Sequence, residues 1–225
     1  MSKVVVITGA NSGIGLAAAK LYESNGYFVV LGCRDEKKGL STEKEIGKRS
    51  KFLKIDMTDY ESINNFYDNL KAEFDKVDIF YSNAGIMYVP FSITKEGHES
   101  TLGTNYFGSS YLTLKMLDLM KDVDNSRIIQ ISSIAMYFIK EMRYEGLEDE
   151  TIYSPWTWYN YSNLYRTMFS FELDRKINKL KTNKNKLIQI YKKISKVEFL
   201  VRQNSELYLS VGLRFFLNLK KIITS

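Results

Sequence analysis

Between residues 3 and 132 the chain alternates between two hydrophobic rhythms. Short continuous apolar runs, rich in β-branched and aromatic residues, mark buried strands at Lys3–Thr8, Tyr27–Cys33, Lys51–Ile55, Val77–Ser82 and Arg127–Ser132. Longer stretches between them repeat their apolar residues on one helical face. Gly13–Asn25 carries Ile14, Ala17, Ala18 and Leu21, and Asp59–Phe74 carries Ile63, Phe66 and Leu70. Asp35–Lys48 is a polar helix, Glu96–Met120 reads as one long helix, and Trp156–Leu180 as another. Strands alternating with helices of this length predict βαβ units and a parallel sheet. The two prolines, Pro90 and Pro155, fall in predicted loops, and nothing repeats at a solenoid period.

After Leu180 the rhythm breaks. "KINKLKTNKNK" is a Lys/Asn-rich tract of low complexity. Lys186–Tyr191 suits a sixth strand, whereas Lys196–Ser225 has apolar residues but no recognisable caps or turns. Residues 1–191 are expected to form one domain, and 192–225 a divergent basic segment rather than a second domain. Charge follows a similar division. From Asp174 onward there are 13 Lys/Arg against 3 Asp/Glu, and before it 19 against 23, so the net charge of +6 combines a strongly basic end with a mildly acidic remainder. Such an end suits solvated helix faces first, an anionic membrane surface second and nucleic acid last.

"VVVITGANSGIG" places Gly9, Gly13 and Gly15 directly after a strand and at the mouth of a helix. That context is what a pyrophosphate-binding turn requires. Gly9 permits the turn, Gly13 lets backbone N–H groups approach phosphate, and Gly15 lets the helix pack against the sheet. The helix N-terminus adds partial positive charge, with Asn11, Ser12 and Ile14 in the same loop.

The Gly-x-x-x-Gly-x-Gly spacing after Thr8 resembles the fingerprint of the short-chain dehydrogenase/reductase family. Four further motifs follow in order: Asn83-Ala84-Gly85, Asn105 in "STLGTNYFG", "RIIQISSIA", and "YNYSN". The resemblance covers about residues 3–180 and points to the retinol-dehydrogenase-like and WW-domain-oxidoreductase-like members. It implies a Rossmann-type doubly wound parallel sheet in a three-layer αβα arrangement, and hydride transfer between a nicotinamide dinucleotide and a carbonyl or alcohol. It also implies a homodimer, built on the helices that carry the asparagine and tyrosine motifs.

The end of the second strand bears on which dinucleotide is used. An acid there would accept from a ribose 2′-hydroxyl and repel a 2′-phosphate. This chain has Cys33 followed by Arg34, a small neutral residue and a guanidinium, which favours NADP(H) over NAD. Asp35 is expected to cap the next helix instead. By resemblance, Asp56 bonds the adenine amino group and Met57 contributes its backbone.

For the chemistry, the resemblance assigns Tyr159 as acid/base and Ser133 as the hydroxyl that polarises the substrate oxygen. Asn105 would hold a water in a proton relay. Tyr161 competes with Tyr159 but fails on spacing, because Ser162 stands three residues after Tyr159. The segment between Ser133 and Tyr159, 26 positions apart, is long and aromatic and suits a bulky apolar substrate.

Two departures stand out. The family places a lysine four residues after the tyrosine, where it favours the phenolate and bonds the nicotinamide ribose. Here that position holds Asn163, which is neutral. Arg166 lies on nearly the same face and offers an alternative cation from another turn. The expected consequence is weakened or lost activity, with a non-catalytic dinucleotide-binding sensor or scaffold as the rival. The second departure is the end of the chain, which lacks the family's Pro-Gly motif and has the composition of a shifted frame, a retained intron or a decayed segment.

One cysteine, Cys33, and one histidine, His98, argue against a disulfide framework and a metal site. The absence of a signal peptide or a bilayer-length apolar run suggests a cytoplasmic chain.

Overall fold

The computed structural model describes residues 2–182 and 194–202. Six parallel strands form one sheet in the order β3-β2-β1-β4-β5-β6. They are β1 (Val4–Thr8), β2 (Phe28–Cys33), β3 (Ser50–Lys54), β4 (Ile79–Ser82), β5 (Ser126–Ser133) and β6 (Ile194–Arg202). The helices are α1 (Gly13–Ser24), α2 (Glu36–Ile46), α3 (Tyr60–Glu73), α4 (Ser100–Leu102), α5 (Ser109–Met120) and α6 (Pro155–Thr182). The doubly wound parallel sheet expected from the sequence is therefore present.

The strands are apolar on both faces because both are covered. Val6, Val30, Leu53, Phe80 and Ile128 face Ile63, Phe66, Leu112, Met116, Leu173 and Ile177 of α3, α5 and α6. The alternate residues Val5, Ile7, Val29, Leu31, Ile79 and Ile129 face Ile14, Ala18 and Tyr22 of α1. Strand order reverses between β1 and β4, so a crevice opens beyond their C-terminal ends.

One predicted element differs from the one observed. The long helix expected from Glu96 starts at Ser100, because the Glu99 carboxylate caps it by accepting from Thr101 N and Leu102 N. A π-helical turn, Gly103–Gly108, then joins α4 to α5 and carries Asn105. The strand beside β5 is Ile194–Arg202, in parallel register from Ser126↔Ile194 to Ser133↔Arg202. The strand expected at Lys186–Tyr191 lies outside the described residues. Among the described residues no helix is long and apolar enough to cross a membrane. No group of three or more His, Cys, Asp or Glu among them is placed to hold a metal ion.

Candidate active site

The loop after β1 is held open by its own backbone. Gly9 and Gly13 have φ of 66° and 52°, the left-handed region that favours glycine. Gly9 N donates to Gly32 O at 2.7 Å, tying the turn to β2. Thr8 Oγ1 accepts from Asn83 N and Ala84 N at 3.0 and 3.1 Å, and Asn83 Nδ2 donates to Thr8 O at 3.0 Å. Thr8 thus locks the turns after β1 and β4 together, a role the sequence alone did not reveal. Ser12 at the start of α1 makes no side-chain cap bond, which leaves the first-turn N–H groups open to an anion.

These turns line a cavity of about 290 Å³. Its walls include Gly9, Asn11, Ser12, Gly13, Ile14, Arg34, Asp56, Met57, Asn83, Ala84 and Gly85, together with Cys33 and Thr104. Of the residues expected to hold the dinucleotide, Gly15 alone is not in the wall. It lies beneath the turn, where a Cβ would stand 2.2 Å from Gly9 O. Open N–H groups at the start of α1 and a guanidinium at the end of β2 fit a dinucleotide.

At that end Arg34 is largely exposed and stands 3.9 Å from Asp56 Oδ2. Asp35 turns away, its carboxylate accepting from Lys38 N at 3.0 Å as the cap of α2. The Asp56 Oδ1 accepts from Thr58 N and Thr58 Oγ1 at 2.9 and 2.7 Å, which fixes the carboxylate with Oδ2 on the side of Arg34. Burial, with the nearby Asp35 charge, pushes the Cys33 thiol up to about 11, so it stays neutral at pH 7.

A second cavity of about 230 Å³ adjoins the first and shares Asn83, Gly85 and Ile86 with it. Met87, Asn105, Ile131, Ser132, Tyr159, Asn163 and Arg166 complete its wall. The Tyr159 hydroxyl has no hydrogen-bond partner among the described residues, and its ring stacks on Trp156 at 6.1 Å. Tyr161 is buried, with its hydroxyl on Glu141 O at 3.2 Å, which removes it from the chemistry.

Three neighbours of Tyr159 are committed in different ways. The Asn105 side chain is saturated: Oδ1 accepts from Ile86 N at 2.8 Å, and Nδ2 donates to Ile86 O and Ser162 Oγ, both at 2.9 Å. Ser132 Oγ lies 3.2 and 3.3 Å from the acceptors Asn163 O and Oδ1, and 3.2 Å from Thr167 Oγ1, so its proton is engaged by α6. Ser133 lies at the end of β5, outside the cavity wall, and accepts from Ala135 N at 3.2 Å. Its own hydroxyl hydrogen remains available.

The long segment before α6 divides its aromatic residues. Trp158, Tyr161 and Tyr165 pack in a cluster with Leu147 and Leu102. Trp156 stays half out, stacked on Tyr88 at 5.7 Å and tilted against Phe138 at 5.7 Å. Tyr88 holds φ at 57°, a conformation that a bulky residue rarely adopts. Tyr88, Phe138 and Trp156 therefore form an exposed aromatic patch that runs to Tyr159.

Residues 3–144 match the short chain dehydrogenase family. The chain is similar to retinol dehydrogenase 12 of Homo sapiens, with 38% identity over 180 residues that cover 78% of this chain and 57% of that protein. It is also similar to the WW domain-containing oxidoreductase of Gallus gallus, with 30% identity covering 78% of this chain and 45% of that one. The chain thus spans about half the length of the curated relatives it matches. Among solved structures, an uncharacterized protein from Mycobacterium Paratuberculosis superposes with a TM-score of 0.71 at 33% identity, covering 79% of this chain and 63% of that one. The serine dehydrogenase of Escherichia coli superposes with a TM-score of 0.62 at 22% identity, covering 77% of this chain and 76% of that one, a likeness of fold.

Proposed function

This chain belongs to the short-chain dehydrogenase family, and from that premise we propose that it is an NADP(H)-dependent oxidoreductase acting on the carbonyl or alcohol of an apolar substrate. The observation that carries the reading is the shared wall of the two cavities. Asn83, Gly85 and Ile86 belong to both, so a dinucleotide lying along the first would end beside Tyr159 in the second.

In this reading the N–H groups of Ser12–Ile14 and the start of α1 take the pyrophosphate. Arg34 takes the 2′-phosphate, and Asp56 with Met57 takes the adenine. A bound nicotinamide supplies the hydride acceptor or donor. Tyr159 moves the proton at the substrate oxygen, and Ser133 donates its free hydroxyl hydrogen to the same oxygen. Asn105 fixes Ile86 and Ser162 around the tyrosine. The patch of Tyr88, Phe138 and Trp156 supports an apolar substrate, because it offers ring faces and no charge next to the reacting end.

A second reading rests on Asn163. Its amide donates to Tyr159 O at 2.8 Å and places no charge beside the phenol, which favours dinucleotide binding without turnover. Measured NADPH consumption with a panel of apolar aldehydes and ketones separates the two. Tight NADPH binding with no consumption across the panel, at any pH between 6 and 10, would leave the second reading alone.

A further inference from the structure

Arg166, in the middle of α6, stands at the partition between the two cavities. It is 3% exposed, yet it belongs to the wall of the second cavity. Nη2 donates to Ala84 O, in the turn after β4, at 2.9 Å, and Ala84 lines the first cavity. Nη1 donates to Ile131 O of β5 at 2.7 Å, and Ile131 lines the second. Nε and Nη2 also donate to Ser109 Oγ of α5 at 3.2 and 3.0 Å. The residues on either side of Ala84, Asn83 and Gly85, belong to both cavities. The guanidinium therefore supports the turn over which a ligand spanning the two cavities would pass.

Two features of this cation go beyond tying elements together. Every one of these acceptors is neutral, a main-chain carbonyl or a hydroxyl, so the buried charge keeps much of its desolvation cost. A guanidinium also carries five N–H donors. Four are used here, and the second hydrogen of Nη1 has no acceptor among the described residues. Other side chains of the same cavity are turned onto the protein. Asn163 Nδ2 donates to Tyr159 O at 2.8 Å, and its Oδ1 lies 3.3 Å from Ser132 Oγ. Asn105 has both amide hydrogens in use, on Ile86 O and Ser162 Oγ. A buried donor left over at a cavity wall is matched by an oxygen that a ligand brings.

We propose that Arg166 is a cofactor-binding residue whose remaining N–H holds a hydroxyl of the nicotinamide-side ribose. The proposal rests on the dinucleotide reading above. In a dinucleotide that ribose directly follows the pyrophosphate, whose place is the start of α1. Its hydroxyls are therefore the first acceptors carried past Asn83 and Gly85 into the second cavity. A hydroxyl offers the guanidinium a lone pair and keeps its own hydrogen for another partner. The bond is charge-assisted and moves no proton.

The test compares three ligands on the parent and Arg166→Gln by isothermal titration calorimetry. 2′,5′-ADP ends before that ribose, 2′-phospho-ADP-ribose includes it without the nicotinamide, and NADPH has both. Arg166→Gln should weaken NADPH and 2′-phospho-ADP-ribose alike, by roughly ten- to a hundredfold. The same change should weaken 2′,5′-ADP by less than about threefold, because that ligand never reaches the guanidinium. Equal weakening of all three would make Arg166 a structural tie, and weakening of NADPH alone would place the contact on the nicotinamide ring. Either result overturns the proposal, as does parent-like binding of all three. If circular dichroism shows that the glutamine variant does not fold, the ligand is altered instead. NADPH analogues with the 2′- or the 3′-hydroxyl of the nicotinamide-side ribose replaced by hydrogen are titrated into the parent. One of them should bind roughly tenfold or more weakly, and NADPH-like affinity for both overturns the proposal. Failure of the parent to bind both NADPH and 2′,5′-ADP is a different result: it removes the dinucleotide reading and the proposal with it.

Discussion

The side-chain amide of Asn163 donates to the main-chain carbonyl of Tyr159 at 2.8 Å, one turn back on the same helix. A lysine at 163 would exchange that bond, and the one from Ser132 Oγ, for an ammonium beside the phenol. Asn163→Lys should therefore raise turnover at neutral pH by about tenfold or more, the gain expected when a neutral neighbour of a proton-transfer group becomes a cation. Steady-state kcat at pH 7 for parent and variant measures it. A variant no faster than the parent would show that the missing charge at position 163 does not limit the reaction.

The wall of the first cavity was more legible in the sequence than the surroundings of Tyr159, for a physical reason. Gly9, Gly13 and Asp35 act through local backbone geometry, so strand–turn–helix context was enough to place them, and Asp35 caps α2 as expected. Five of the strands lie within a residue or two of their apolar runs, because burial on both faces leaves a continuous signal. Arg166 is different. Its acceptors are Ala84, Ser109 and Ile131, residues far away in the chain, and only their convergence shows that the guanidinium is buried. The helix expected from Glu96 ran too long because a glutamate at its start scores as a helix former. Here Glu99 ends the preceding turn with Gly97 at φ 82° and caps α4. Aromatic content of the 134–158 segment likewise could not say which rings face the core, and the structure divides them between Trp158 and Trp156.

Arg34→Ala should weaken NADPH more than NADH. Loss of charge-assisted hydrogen bonds to a 2′-phosphate costs about 1.5–3 kcal/mol, or roughly ten- to a hundredfold in Kd. NADH lacks that group, so its Kd should change by less than about threefold on the same argument. Arg34 is exposed and bonded only loosely to Asp56 at 3.9 Å, so the fold should not respond. Fluorescence titration with both dinucleotides gives the ratio. Equal weakening of the two would mean that Arg34 does not read the 2′ position.

Gly15→Ala should damage dinucleotide binding without touching the cavity wall directly. The added Cβ would stand 2.2 Å from Gly9 O and 2.7 Å from Asn83 Nδ2. Both belong to rigid turns, so α1 must move away from the sheet and carry the first-turn N–H groups with it. Overpacking of this kind costs about 1–3 kcal/mol or more. A lower Tm together with a Kd for NADPH raised at least tenfold, on the order set by that cost, is the expected pair of results. A parent-like Kd would show that the phosphate does not use this helix end.

Asp118 on α5 ties that helix to α3. It accepts from Lys121 Nζ at 2.6 Å, and from Lys71 Nζ and Tyr67 OH of α3 at 2.8 Å each. The bond from Lys121, then those from Lys71 and Tyr67, hold its carboxyl well below the usual carboxylate range. A depressed folded-state pKa stabilises the fold above the unfolded value, near 3.9, and that stability is lost as pH falls through the folded value. The site is partly exposed, so Asp118→Asn should cost about 1 kcal/mol at pH 7, the upper end for screened pairs, or about 2–4 °C in Tm. The gap between parent and variant should stay constant above about pH 5, narrow below about pH 4, and shrink at high salt. A gap that persists unchanged at pH 3 would assign the effect to packing around Tyr67 and not to the carboxylate charge.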